Sequence, residues 1–163
     1  MIIKPPSKMI YSNHTKFSIF LAGSIDMGSA VDWQKEVSDS LSGFDVDLFN
    51  PRRDDWNSSW KQSMENPFFV EQVTWEQHAL EVADYRIFVM TKDSKSPITL
   101  LELGRYASLP GVICCEKGFY REANVEISAK LWGIPFYTSI DEMLLHTKMI
   151  LTEKGLLRNV SYY

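Results

Sequence analysis

The stretch RIFVMTKDSKSPITLLELGRYASLPGVICC, residues 86–115, decides how the rest of the chain is read. After the arginine that opens 86–90, the run is continuously apolar, the pattern of a strand buried on both faces in the middle of a sheet. A polar loop follows at 93–96. A segment at about 97–108 then brings Leu100, Leu103 and Ala107 back at helical spacing, and a second apolar run, 111–115, closes the unit. Strand, helix and strand in that order predict two parallel strands joined by a right-handed crossover.

Working outward, the same alternation recurs. Residues 16–22 (KFSIFLA) predict the first strand, followed by a Gly23-Ser24 turn and a helix over about 30–42 through Val31, Val37 and Leu41. Residues 44–49 predict a second strand ending at Asn50-Pro51, and 52–66 is polar, Trp-rich and without a period. Phe69, Val73, Leu80 and Ala83 predict one face of a helix over about 70–83. Beyond 115 come a helix at 121–132, a short strand at 134–137 and a last helix at 140–151. The expectation is a single domain over 1–163 of α/β class: a doubly wound, flavodoxin- or Rossmann-like, five-stranded parallel sheet with helices on both faces. Its ligand cleft belongs at the carboxyl ends of the strands, where the loops at 23–26, 50–60, 92–96 and 116–121 open together.

Composition narrows the function classes. Of 163 residues, 45% are hydrophobic and 23% charged, and 17 Lys and Arg stand against 21 Asp and Glu, a net charge of −4 with no block of one sign. That balance argues against polymeric nucleic acid or an anionic membrane surface as partner, since both require a basic face. The apolar runs are strand-length, well short of the roughly 18 residues of a membrane span. The opening seven residues have two prolines and no cationic flank leading into an apolar stretch. Cys114 and Cys115 are neighbours in an apolar run, which suits neither a disulfide framework nor a zinc site and points to a reducing, cytoplasmic setting (the host cytoplasm for a viral protein). His14, His78 and His146 are scattered without metal-ligand spacing, and His78 reads as a packing residue. Aromatic residues make up 13%, with five tryptophans, more than a core of this size requires; some of these rings are expected to face a ligand or partner.

Three constellations carry the candidate chemistry. Gly23 lets backbone approach a ligand closely, and Ser24 puts a hydroxyl near a helix N-terminus, although a plain strand-to-helix turn has the same appearance. Arg52, Arg53, Asp54, Asp55 and Trp56 offer guanidinium forks, carboxylates and an indole face suited to a planar nucleobase; a solvated loop of Arg–Asp pairs is the alternative. In Ser96-Pro97-Ile98-Thr99-Leu100-Leu101-Glu102, Thr99 and Glu102 spell a capping box. If Ser96 is instead the cap with Pro97 at the first helical position, Glu102 lies inside the helix among leucines, as a nucleophile or base at the mouth of the cleft. Glu76, on the preceding helix, supplies a second carboxylate. A carboxylate to attack C1′ and another to manage the leaving-group proton are what glycosyl transfer through an oxocarbenium-like state requires.

With these residues in place, the chain resembles the nucleoside 2-deoxyribosyltransferases, in the branch found in phages, bacteria and fungi. The similarity runs from about residue 17 to 142, through FLAGSIDMG (20–28), FNPRRDDW (49–56), WEQHALEVADYRIF (75–88), SPITLLELGRYA (96–107) and GFYREANVEI (118–127). The resemblance implies that Glu102, in Glu-Leu-Gly, attacks C1′ and holds a covalent 2-deoxyribosyl ester until a second base accepts the sugar. It implies that Glu76, eight residues before Asp84, positions or protonates the substrate. It also implies a homo-oligomer whose site is completed across subunits, with Asn124 and the C-terminal Tyr163 as the contributed groups, and neither a metal nor a redox cofactor. One departure matters: many members have Asp-x-Gly-Thr where this chain has Ser96-Pro97-Ile98-Thr99, leaving Asp93, Asp54 or Asp55 to replace a base-recognising carboxylate. Hydrolases of deoxynucleoside 5′-monophosphates share the fold and bind phosphate through serines and the first glycine loop, a role open to Ser24, Ser96, Arg52 and Arg53.

Three functions are therefore expected, in order: nucleobase exchange on 2′-deoxynucleosides, hydrolysis of 2′-deoxynucleoside 5′-monophosphates, and non-catalytic nucleotide binding. Each takes a nucleoside or nucleotide as its small-molecule partner.

Overall fold

The computed structural model describes residues 1–11, 15–24 and 32–158. Six strands, β1 (Ile2–Ile3), β2 (Phe17–Gly23), β3 (Val46–Phe49), β4 (Tyr85–Met90), β5 (Gly111–Cys115) and β6 (Phe136–Tyr137), form one sheet in the order β1-β3-β2-β4-β5-β6. Every neighbouring pair in it is parallel. Among the described residues five α-helices alternate with them: α1 (Trp33–Ser40), α2 (Pro67–Val82), α3 (Pro97–Tyr106), α4 (Glu122–Trp132) and α5 (Ile140–Glu153). The fold is the expected doubly wound α/β sheet with one strand more than the five read from sequence. The extra strand, β1, is two residues long and lies at the edge beside β3.

Period-two alternation splits the core into two layers. Phe20, Ala22, Phe88, Met90, Ile113 and Cys115 face α2, α3 and α4 through Trp75, Ala79, Leu103, Tyr106, Val125 and Ala129. Ile19, Leu21, Ile87, Val89, Val112 and Cys114 face α1 and α5 through Trp33, Val37, Met143 and Leu151. β4 contributes to both layers and is flanked by β2 and β5, the central position its unbroken apolar run requires. The adjacent cysteines point into opposite layers and are both free and buried; burial pushes both thiols up to about 12, so they are inert.

Helix α2 departs from its sequence reading in two ways. It begins at Pro67 because the Asn66 side chain accepts a hydrogen bond from the Phe68 amide at 3.2 Å and proline occupies the first turn. Its buried face is Gln72, Trp75, Ala79 and Leu80, with Val73 exposed. The helix admits glutamine to that face because the side chain reaches a backbone carbonyl there. Arg86 fixes the other end: its buried guanidinium donates through Nε and Nη2 to the Leu80 carbonyl at 2.9 and 2.6 Å and through Nη2 to the Glu81 carbonyl at 3.1 Å. A cation on the last carbonyls of α2 satisfies acceptors that have no partner within the helix. Asp84 ties the following turn to β2 by accepting from the Ser18 amide and hydroxyl at 2.8 and 2.9 Å.

The strand order reverses between β2 and β4. Ligands of open α/β sheets bind in the crevice beyond the carboxyl ends of the strands at such a switch point, and here the residues at those ends are Gly23 and Ser24 on one side and the 91–96 turn leading into α3 on the other.

Candidate functional site

The switch point gathers three serines from two distant segments. Ser24, Ser94 and Ser96 are all buried, and their hydroxyls form a closed triangle: Ser94 lies 2.6 Å from both Ser24 and Ser96, and Ser24 and Ser96 are also in hydrogen-bond contact. Ser94 further donates to the Thr91 carbonyl at 3.1 Å. Gly23 permits this assembly for a reason other than ligand approach. A Cβ there would meet the Trp33 ring at 2.5 Å and the Val89 carbonyl at 2.6 Å, so the space glycine leaves is filled by the indole, whose Nε1 donates to the Ser24 carbonyl at 3.0 Å. The rest of the first glycine loop, 25–31, lies outside the described residues, as do His14 and Tyr163.

Ser96 also starts the helix that carries Glu102. It occupies the cap position with Pro97 next, so Thr99 and Glu102 are not a capping box. Its backbone is left-handed (φ +43°, ψ +46°), uncommon for a residue with a Cβ, and its side chain makes no capping bond. The hydroxyl that would cap α3 is turned into the serine triangle, leaving the first amides of α3 without a side-chain partner.

Glu102 lies one and a half turns inside α3 on its buried face, with 6% of its surface exposed. Burial, followed by the negative charge of Glu76, pushes its carboxyl up to about 8. Burial also pushes Glu76 up to about 7, opposed by a hydrogen bond that its Oε1 accepts from Gln72 Nε2 at 2.8 Å. The two carboxylates singled out in sequence thus lie on consecutive helices of one sheet face, near enough for the charge of Glu76 to raise Glu102. Carboxyls that repel each other in an apolar setting resist being charged together, and Glu102, raised the further of the two, is the one that favours its proton.

The arginine-rich segment is arranged differently. Arg53 is buried, donates to Asp55 through Nε and Nη2 at 2.6 and 3.1 Å, reaches Glu71 at 3.4 Å, and lies over the Trp60 ring at 5.0 Å. Trp60 in turn meets Trp56 edge-on and stacks on Phe68. Asp54 is engaged by Lys4 at 2.5 Å. Arg52 keeps spare capacity: Nη1 lies 3.4 Å from Asp32 and has no hydrogen-bond partner. Asp93 is exposed in the turn before Ser94, and Asn124 is exposed on α4. The five tryptophans divide, with Trp33 and Trp75 in the core and Trp56, Trp60 and Trp132 at the surface. His78 is a packing residue stacked on Tyr11.

Gln72 and Ser94 were not singled out from sequence. Gln72 precedes Glu76 by four residues, a spacing that places two helical side chains in contact, whereas nothing local marks Ser94. Two open surface hollows, of about 390 Å³ between β6 and α5 and about 380 Å³ at residues 59–68, contain neither the serines nor the carboxylates. Among the described residues, no cluster of His, Cys, Asp and Glu is placed to hold a metal ion, and no helix is long and apolar enough to cross a membrane.

Comparison with known proteins agrees with this architecture. A crystal structure of a conserved protein from Enterococcus faecalis V583 superposes with a TM-score of 0.59 at 11% identity, over 83% of this chain and 99% of that one, a likeness of fold. No curated protein matches the chain. Residues 16–119 match the family described as nucleoside 2-deoxyribosyltransferase like, a span that includes the serine triangle, both carboxylates and the arginine-rich segment. The chain therefore belongs to the nucleoside 2-deoxyribosyltransferase-like family, which ties it to nucleoside-related chemistry.

Proposed function

We propose that the protein exchanges the base of 2′-deoxynucleosides through a covalent sugar ester on Glu102. The observation that carries this reading is a pair of carboxyls, Glu102 and Glu76, on consecutive helices of one sheet face, both pushed up by burial. Displacement at C1′ needs one carboxylate as nucleophile and one carboxyl as proton donor; burial raises Glu102 further than Glu76, so in this reading substrate binding moves the proton from Glu102 to Glu76 before attack. A Glu102 oxygen attacks C1′ as the C1′–N bond breaks. The bond's electron pair leaves on the base nitrogen, which takes the proton from Glu76. In the second half, a ring nitrogen of the acceptor base attacks C1′ and the ester C–O bond breaks. Glu102 regains its charge and the acceptor's N–H proton passes to Glu76. The apolar surroundings that raise both carboxyls also strengthen their interaction with positive charge developing on the sugar. Asn124, exposed on α4, is accessible to a second copy of the chain completing the site.

A second reading, hydrolysis of 2′-deoxynucleoside 5′-monophosphates, is favoured by the serine triangle. Three rotatable hydroxyls beside an uncapped helix N-terminus suit a phosphate. The triangle lies six residues before Glu102, about 9 Å along the helix, a span that a ribose 5′-phosphate can bridge. Chromatography separates the readings after incubation with each deoxynucleoside, with and without a second base, and with each 5′-monophosphate. A new deoxynucleoside formed only with an acceptor base supports exchange. Free base from monophosphates alone replaces that reading with the hydrolase, and no release from any substrate overturns both in favour of a binding module.

A further inference from the structure

We propose that Gln72 is a positioning residue, its carboxamide bracing Glu76 against the Pro51 carbonyl and so coupling the segment after β3 to the carboxylate pair. This inference rests on the proposed role of that pair. Gln72 Nε2 donates to the Pro51 carbonyl at 2.9 Å and to Glu76 Oε1 at 2.8 Å, so both of its hydrogens are committed. The residue is 4% exposed, and its Oε1 is buried without a hydrogen-bond partner. Turning the amide over would place Oε1 against the Pro51 carbonyl, which can only accept, so that carbonyl fixes the orientation in which the second hydrogen reaches Glu76. An unpaired buried acceptor is a cost that methionine of similar length would avoid. That glutamine bears it, on a helix face otherwise filled by Trp75, Ala79 and Leu80, points to its two acceptors together, the Pro51 carbonyl and the Glu76 carboxylate, as the reason.

The bond has a directional effect. An N–H donor favours the ionised carboxylate, whereas burial favours the neutral acid. Gln72 therefore opposes burial and holds Glu76 close to neutrality, where a group can give and retake a proton. Glu102 is the titratable group facing Glu76 from α3, and a charge there acts in the same sense as burial.

The test is a titration of ¹³C-labelled glutamate carboxyls by NMR in the wild-type chain, Gln72→Met and Gln72→Asn, with Glu76→Gln assigning the resonance. Methionine removes the donor at similar length, and asparagine keeps the amide but shortens its reach, so either variant is informative if the other fails to fold. In both, the Glu76 midpoint should move up by roughly one pH unit. In the active protein the alkaline limb of the pH–rate profile should move the same way, with kcat falling more than KM changes. A Glu76 midpoint unmoved in a folded variant overturns the inference. A midpoint that moves in a chain that releases no base from any substrate keeps Gln72 as the brace of Glu76 and overturns the proposed function instead.

Discussion

The carboxylate pair and the segment around Arg53 are built from residue types that look equally reactive, yet they end in opposite states. Around Arg53 the charges satisfy one another: the guanidinium holds Asp55 and Glu71 and covers Trp60, and Asp54 is taken by Lys4. At the switch point the charges are left in conflict. Glu76 and Glu102 repel each other, the Gln72 Oε1 is orphaned, and Ser96 accepts a left-handed backbone while withholding its side chain from the helix it starts. Compensated charge contributes structure. Uncompensated burial of charge and strain in one place marks where the fold retains something it does not need for stability alone.

The sharpest way to break this contrast is to neutralise the conflict. Glu102→Gln should lower base exchange by about 10⁴-fold or more, the scale of removing an enzymatic nucleophile, and Glu76→Gln by about 10²- to 10⁴-fold, the range for a general acid. Steady-state rates on a deoxynucleoside with a second base measure both.

The same conflict predicts a gain in stability. A carboxyl raised to about 8 from its ordinary 4.5 contributes fully below pH 4.5, and the contribution is lost as pH rises through 8. An uncharged amide at that position, as in Glu102→Gln, has no such loss. Denaturant melts of Glu102→Gln and wild type should therefore differ progressively above pH 4.5, the variant gaining on the order of 5 kcal/mol by pH 9 relative to acid pH. A constant difference across that range would mean that Glu102 is not held neutral by its surroundings.

Removing one hydroxyl of the triangle is a smaller perturbation. Ser96→Ala should raise KM for a deoxynucleoside 5′-monophosphate about tenfold, the loss of one hydrogen bond to a charged group, while leaving the unphosphorylated nucleoside nearly unchanged. Equal effects on the two substrates would remove phosphate from the triangle's role. The smallest effect on activity belongs to Arg53→Ala. It should destabilise the chain by about 1–2 kcal/mol through lost packing on Trp60 and lost pairing with exposed carboxylates, and change base-exchange rates by less than about threefold, the scale expected of a residue occupied with structure. A large loss of activity with stability intact would put Arg53 in the site.

Much of the fold was legible because its central strands are patterned by burial. Residues 111–115 form a strand with the bounds expected from the apolar run, and the unbroken hydrophobicity of 87–90 located the middle of the sheet. β1 was not legible: two residues have no period, and only pairing with β3 makes Ile2 and Ile3 a strand. The buried face of α2 was misread because Gln72 belongs to it, and an amide becomes a core residue only when a carbonyl such as that of Pro51 stands opposite. Glu102 and Glu76 were visible as carboxylates among apolar neighbours on helices, but their mutual repulsion depends on α2 and α3 covering the same sheet face. The serine triangle was half visible. Ser24 and Ser96 flank predicted elements, but their contact spans 72 positions and exists because β2 and β4 are neighbours at the point where the strand order reverses.

The central claim is that Glu102 becomes covalently attached to the sugar. Incubation with a 2′-deoxy-2′-fluoronucleoside, whose electron-poor C1′ slows breakdown of the ester, followed by intact-mass measurement and peptide mapping, tests it directly. The account predicts one fluorodeoxyribosyl unit per chain, carried on Glu102 and absent from Glu102→Gln. Base release with no adduct, or an adduct on any other residue, would contradict it.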